Sequence, residues 1–290
     1  MKRWLKLAAR SLRRAAEEAR LRRFRPERTY EIWVISAAYN AEADVERHLE
    51  SIHGQAYDRS RYRHVLIDDA SPDGTLERAA RFQRKNPDFP LEIVANKERR
   101  GGCENYTLGF RRAPPGSIVL QVDGDDWLPE NRVFAYLNMV YADLDVWMTY
   151  NSWVFPDGRP SVNSEPVPDR VIAANGYRDH AWITSHLHSF RRELFDFVRE
   201  ESLLDPETGS YWMSSVDQAQ FLPMLELAGR HAIHLDRVMY VYNLHQGSII
   251  NTQRERQAAA ARRIRAMPRY SPLASLDFAV PPPASLKGRL

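Results

Sequence analysis

The chain has a single cysteine, Cys103, in 290 residues. A lone thiol excludes an intramolecular disulfide framework and a cysteine-based zinc site, and it fits a reducing compartment. No apolar run comes near the roughly twenty residues a membrane-spanning helix needs, so none is expected. The N-terminus is basic but lacks a continuous apolar stretch, so no signal peptide is expected either. There is no internal repeat, and no aromatic interleaving or groove-reading motif that would point to nucleic acid. The expected location is cytoplasmic, in solution or peripheral at the inner face of a membrane.

What is present is a globular composition. Seven Trp, thirteen Tyr and eleven Phe are too many for disorder in the central part. The length suits one large domain with appendages. Charge is unevenly placed: residues 1–30 carry eleven Lys/Arg against three Glu, about +8, leaving the rest near −5 on a total of +3. The basic character belongs to an arm. Residues 1–25 read as a helix with Trp4, Leu5, Ala8, Leu12, Ala15 and Ala19 along one stripe. Such a helix suits weak, mainly electrostatic contact with an anionic membrane surface. It also suits a basic helix packed on the protein or frayed in solvent.

From Tyr30 onward strands alternate with helices. Strands are expected over 31–36, 64–67, 91–95 and 118–122, with helices over 41–53, 76–85 and from Gly102 to about Arg112. Thr75 is placed to cap the second of these helices after the Ser71-Pro72-Asp73-Gly74 turn. This alternation implies a parallel sheet covered on both faces. A helix over 129–141, a strand over 145–155, an apolar helix over 219–227 stopping at Gly229 and a strand over 232–243 follow. Residues 251–290 read as a helix and then extended or disordered proline-rich chain. His180, His186 and His188 could suggest metal, but the last two share a face only in a strand. Surface or acceptor-lining histidines are the expectation for all three.

The densest signal is the stretch 117–128, S-I-V-L-Q-V-D-G-D-D-W-L. An apolar run reads as a buried strand, yet it ends in three carboxylates within four positions. Two carboxylates about 5 Å apart repel by roughly 3 kcal/mol at an effective dielectric near 20. That repulsion favours a cation or a set of donors, and Mg²⁺-like ions take one or two carboxylates plus phosphate oxygens. A solvated Asp-Gly turn is the plain alternative. In open parallel sheets, however, ligands sit outside the carboxyl ends of the strands. Tyr39-Asn40 follow the first strand, Asp68-Asp69 the second and Asp123-Gly124-Asp125-Asp126 the fourth, so three polar clusters converge on one sheet edge.

The segments V-I-S-A-A-Y-N-A-E (34–42), L-I-D-D-A-S-P-D-G-T (66–75), G-G-C-E-N-Y-T-L-G (101–109) and V-D-G-D-D-W-L (122–128), in this order, resemble glycosyltransferase family 2. The resemblance covers about residues 30–248. It implies the GT-A fold: an α/β, Rossmann-like, mixed but mostly parallel sheet with helices on both faces. It divides the chain into a basic helix (1–29), a glycosyltransferase domain (30–250, with a nucleotide-sugar half over 30–130 and an acceptor half over 131–250) and a tail (251–290). It also implies that Ala38, Tyr39, Asn40, Asp68 and Asp69 hold the nucleotide, and that Asp123 and Gly124 belong to the D-x-D turn. Asp125 then meets Mn²⁺ or Mg²⁺ on the diphosphate, and His245, in an H-x-x-S-type segment with Ser248, completes metal binding.

An acceptor alcohol is a poor nucleophile at neutral pH and needs a base. The family pattern puts a carboxylate at the start of a late helix, which points to Asp217, although Val216 replaces the first acid of the usual pair. Glu226 and Asp205 are rivals. The family's A-R-N-x-G segment is also altered here: Thr107 occupies the usual Asn position, and Asn105 serves if the register shifts. The expected activity is inverting, metal-dependent transfer of a hexosyl or N-acetylhexosaminyl unit from a UDP-sugar to a glycan or lipid-linked glycan. A sugar nucleotidyltransferase would need a Gly-rich, basic phosphate loop after the first strand, and S-A-A-Y-N-A-E has neither. A nucleotide-sugar-binding module without chemistry is the remaining alternative, favoured only by Val216.

Overall fold

The computed structural model describes residues 16, 19–21, 23–161, 163–244 and 254–281. The stripe from Trp4 to Ala15, His245, Ser248 and the last nine residues lie outside the described residues. Seven strands form one sheet: β1 (Ile32–Ala38), β2 (Tyr62–Asp68), β3 (Leu91–Ala95), β4 (Ile118–Gln121), β5 (Met148–Val154), β6 (His188–Arg191) and β7 (Ala232–Val241). Their spatial order is β3-β2-β1-β4-β6-β5-β7. β1 pairs in parallel with β2 and β4, β2 with β3, and β5 with β7. Only β6 runs the other way, antiparallel to both β4 and β5. The sheet is therefore mixed and mostly parallel, as expected.

Helices α1 (Val45–His53), α2 (Thr75–Lys85), α3 (Gly102–Arg112), α4 (Val133–Val140), α5 (Asp169–Ala173), α6 (Val216–Ala228) and α7 (Arg254–Ala266) cover it. Side chains alternate between the two faces of a strand, so adjacent residues join different cores. Ile35, Val65, Ile67 and Val119 pack on one face with Phe110 and Phe221. Ile32, Val34, Leu66 and Leu120 pack on the other with Val45, Leu49 and Phe134. Burial on both sides explains why the central strands read as continuous apolar runs. The fit is close where α3 crosses β1: a Cβ on Gly109 would lie 2.2 Å from Ile35 Cγ2.

The element ends differ from the sequence pattern in specific ways. The helix expected from Ala41 starts at Val45, because Glu42–Asp44 form a turn. The helix expected over 129–141 shrinks to Val133–Val140. Thr75 is the first helical residue of α2 and not its cap: its N–H donates to Asp73 Oδ1 at 3.1 Å, while its own hydroxyl accepts from the Ala41 N–H at 2.9 Å. The chain after α7 is extended, but through residue 281 it is docked. Tyr270 is buried, its hydroxyl 2.6 Å from Ser202 Oγ, and the Leu273 N–H donates to the Leu227 carbonyl at 2.9 Å. The Arg191 guanidinium lies 3.9 Å from the Phe278 ring centroid. The segment 254–281 therefore packs against the rest of the domain.

Candidate functional site

A cleft with a cavity volume of about 290 Å³ opens at the carboxyl ends of β1, β2 and β4. Of the residues singled out in the sequence, Ala38, Tyr39, Asp69, Asn105, Asp123, Asp125 and Asp217 line it. Asn40, Asp68 and Gly124 do not. Asn40 adopts φ +54 in an exposed turn, with its N–H donating to Ser71 Oγ at 3.2 Å. Asp68 is buried, and its Oδ2 accepts from the Ser71 N–H at 3.2 Å, so it shapes the β2–α2 loop. Gly124 lies behind the wall: a Cβ there would come 2.6 Å from Ala38 Cβ and 2.9 Å from Ala38 Cα. Glycine lets the D-x-D turn close onto the end of β1, where its N–H donates to the Ala37 carbonyl at 3.0 Å.

The three acids after β4 have separate fates. Asp123 faces the cleft and accepts a short hydrogen bond from the Tyr106 hydroxyl of α3. Burial, then repulsion from Asp125, raises its carboxyl pKa against the opposing influence of His186. Asp125 lines the same wall. Asp126 turns away: Oδ2 accepts from Tyr240 Oη at 2.5 Å and Oδ1 from the Asn243 N–H at 2.6 Å. Burial first, then Asp125 and Asp123, push its carboxyl well above the usual range. The Asp126 carbonyl lies 2.7 Å from Nδ1 of buried His48, whose pKa is pushed down to about 4 by burial, so the ring is neutral. Asp126 thus ties the end of β7 to the D-x-D turn and leaves the cleft to the other two.

At the end of the cleft beside β1 and β2, Asp69 is already well supplied. Its Oδ1 accepts from the Arg100 N–H at 2.8 Å and Asn96 Nδ2 at 3.0 Å, and its Oδ2 from the Gly101 N–H at 3.0 Å. Burial acts to raise its pKa, but these donors outweigh it and hold the carboxyl below the usual value. The Arg99 guanidinium sits 3.5 Å from the Tyr39 ring centroid and 3.5 Å from Asp69. Between the two candidate positions on α3, Asn105 reaches the cleft and Thr107 is wholly buried. Asn105 Nδ2 is buried beside Asp69 without a hydrogen bond of good geometry among the described residues.

Across the cleft, Asp217 stands in the first turn of α6, which follows Ser215 in a left-handed conformation at φ +53. Burial raises its carboxyl pKa, opposed by His186 and helped by Asp123. The Trp182 indole N–H lies beside this carboxylate without reaching hydrogen-bond geometry. The two rival bases are engaged elsewhere. Glu226 is fully buried, paired with Arg178 at 2.6 Å, and Asp205 is held by Arg263 at 2.9 Å. Neither lines the cleft.

Sequence reasoning missed several cleft residues. Tyr106 comes with α3, which packs on β1. Gln257 arrives from α7, where the Ser215 hydroxyl donates to its carbonyl at 2.9 Å. Tyr242 and Asn243 follow β7, which folds back to bridge Trp127. His186, expected at the surface or lining the acceptor region, enters the cleft just before β6, at the amino end of an antiparallel strand. His188 is buried instead, stacked 3.6 Å from Phe221 and pushed by burial to a pKa of about 3. The His180 ring lies outside the cleft, with Nδ1 3.1 Å from the neighbouring Ala181 carbonyl. A rule based on carboxyl ends reaches Tyr242 and Asn243, which follow β7, but not Tyr106, His186 or Gln257.

The donor set suits a hard cation. Asp123 and Asp125 are oxygen ligands whose repulsion a divalent ion would relieve. Among the described residues no group of three His, Cys, Asp or Glu could hold a metal alone.

The family model for glycosyl transferase family 2 matches residues 33–198. Glycosyltransferase AglE of Haloferax volcanii is 30% identical over 92 residues, which are 32% of this chain and 29% of that protein. A crystal structure of S. aureus TarS in complex with UDP-GlcNAc superposes with TM-score 0.61 at 18% identity, over 81% of this chain and 65% of that one. The mannosyltransferase PcManGT of Pyrobaculum calidifontis, in complex with GDP-Man and Mn²⁺, gives TM-score 0.58 at 22% identity, over 91% of this chain and 74% of that one. The chain thus matches less than a third of AglE's length and under two thirds of the TarS chain, and the structural likenesses bear on the fold.

Proposed function

The chain belongs to glycosyl transferase family 2, and from that premise we propose that it is an inverting, metal-dependent enzyme. It moves a sugar from a nucleotide-diphosphate sugar, preferably UDP-linked, to a hydroxyl of a glycan or lipid-linked glycan. The observation that carries this reading is one cleft that gathers Asp123, Asp125 and Asp217 opposite the Tyr39–Asp69 end. UDP-GlcNAc in TarS and GDP-Man with Mn²⁺ in PcManGT support a nucleotide-sugar donor and a divalent cation.

In this reading Tyr39, Asp69 and Asn105 hold the nucleoside, and Asp123 holds the ribose with its carboxylate fixed by Tyr106. Asp125 would hold Mn²⁺ or Mg²⁺; when bound, such an ion offsets the charge that builds on the departing diphosphate. Asp217 takes the proton of the acceptor hydroxyl as that oxygen bonds to the anomeric carbon and the nucleoside diphosphate leaves with its electron pair. Asp69 is hydrogen-bonded, Asp123 is fixed and Asp125 belongs to the diphosphate. Asp217 remains as the one base, which supports single displacement with inversion over a two-carboxylate scheme. A lipid-linked acceptor would set the reaction beside a membrane, where the basic residues of the first thirty supply attraction to anionic lipid.

The test is binding of UDP and GDP with Mn²⁺, followed by turnover of a panel of nucleotide sugars. Asp125→Ala is expected to abolish transfer and the Mn²⁺-dependent part of nucleotide binding. Transfer that persists in this variant would defeat the assignment, and nucleotide binding without turnover of any donor would support a module without chemistry.

A further inference from the structure

The strand order lays out the cleft like a ruler. Going along the edge, β2 brings Asp69, β1 brings Tyr39, β4 brings Asp123 and Asp125, and β6 comes next. Each step is about 5 Å. If the nucleoside lies over β2 and β1 and the diphosphate over β4, the group beyond the diphosphate falls at β6. His186 is the side chain that β6 presents there, two residues before Gln121 and His188 pair across the β4–β6 boundary.

Its setting is unusual for a surface histidine. The imidazole stacks nearly parallel to two phenol rings, 4.8 Å from Tyr240 at 8° and 5.2 Å from Tyr242 at 13°. Trp153 closes a third side edge-on at 6.4 Å. Stacking of this kind engages the ring plane and leaves the edge with its nitrogens to meet a ligand in the cleft. Among the described residues neither nitrogen has a hydrogen-bond partner, although the ring lines the cleft. It is also close enough to act on both Asp123 and Asp217, the acids on either side of the reacting centre. Tyr240 is anchored in turn by Asp126, so the clamp is rigidly joined to the D-x-D turn.

Resting on the donor-site reading above, we infer that the edge of His186 reads the transferred sugar. It hydrogen-bonds a hydroxyl or acylamino group of the sugar ring and so sets which donor is accepted. A rigid polar group aimed at one hydroxyl discriminates by leaving a partner unsatisfied when that hydroxyl is absent or inverted. Stacking alone would not distinguish epimers.

The experiment compares the wild-type chain with His186→Phe, which keeps a ring in the stack but removes its nitrogens, and with His186→Gln, which keeps a hydrogen-bonding end. UDP affinity with Mn²⁺ is measured by calorimetry, and kcat/KM is measured for UDP-Glc, UDP-Gal and UDP-GlcNAc. The expected result is UDP affinity within about twofold, kcat/KM for the preferred donor down on the order of tenfold in His186→Phe, and a smaller loss in His186→Gln. The ratio between the preferred donor and its epimer should shrink. An unchanged ratio, an equal loss in both variants, or a fall in UDP affinity matching that in kcat/KM overturns the inference. A wild-type chain that binds no nucleotide overturns the donor-site reading itself, and this inference with it.

Discussion

The half from Tyr30 to Trp127 and the half from Val133 to residue 281 share one sheet but are built on different rules. In the first, every strand is parallel, and each polar cluster stands just past a carboxyl end. Its turns are held in part by partners a few residues away, as when Asp73 accepts from Thr75 and Asp68 from Ser71. In the second, β6 reverses direction and β7 folds back to the D-x-D turn. A buried ion pair, Arg178–Glu226, anchors a returning tail. A site built at strand ends follows from local pattern, whereas a site built by reversal and return depends on contacts far apart in sequence.

The sharpest way to test that division is at Asp217, the one proposed chemical group that the second half contributes. Asp217→Asn is expected to lower kcat by about 10²–10⁴, the span typical of losing a general base, while UDP affinity stays near that of the wild type. A comparable loss of UDP affinity would mean that the halves do not divide binding from chemistry. The pH dependence follows from the raised carboxyl pKa of Asp217, which burial causes. The base must be ionised, so kcat should fall with acid through a midpoint above the ordinary aspartate value. Stability has the opposite sign. A carboxyl whose folded pKa is raised contributes stability below its unfolded pKa and loses it as pH rises through the folded value. At neutral pH Asp217→Asn should therefore unfold at a higher temperature than the wild type, as measured by calorimetry.

That asymmetry also marks how far the sequence could be read. The alternation of the first four strands with helices, and the gathering of Asp69, Asp123 and Asp125 at one edge, follow from apolar runs of which the second and fourth end in acids. The side-chain directions within those clusters do not. Asp68 and Asp126 look equivalent to their neighbours in sequence. The pleat and the turn point one toward Ser71 and the other toward Tyr240. His186 and His188, two apart, are both expected at the surface or lining the acceptor region, yet His188 is packed against Phe221 and of the two His186 lines the cleft. Gln257 could not be placed at all, because its position depends on α7 docking beside Ser215, forty-two residues away in the chain.

The second half should also be the more sensitive to loss of a single buried contact. Arg178 Nε and Nη2 donate to the two Glu226 oxygens at 2.6 and 2.9 Å, and Nη1 donates to the Ile264 carbonyl of α7 at 2.6 Å. Glu226→Ala strands a buried guanidinium and should cost about 3–5 kcal/mol in urea unfolding. UDP affinity below the transition should be close to normal, because the strand ends that hold the nucleotide are untouched. A collapse of nucleotide binding in a folded Glu226→Ala chain would show that the ion pair supports both halves.

The smallest change asks whether the tail is part of the domain or merely laid on it. The Tyr270 hydroxyl accepts from the Arg199 N–H at 2.9 Å and lies 2.6 Å from Ser202 Oγ, while its ring sits 4.3 Å from the Arg199 guanidinium. Tyr270→Phe keeps the ring and its packing but leaves a backbone N–H and a buried hydroxyl short of a partner. The expected cost is about 1–2 kcal/mol, the scale of an unsatisfied buried donor, with kcat and UDP affinity unchanged. It should appear as a shift of the single unfolding transition that Glu226→Ala also moves. If instead a separate early transition moves and the main one stays, the tail unfolds as its own unit. The cleft would then keep Gln257 only while that unit is docked.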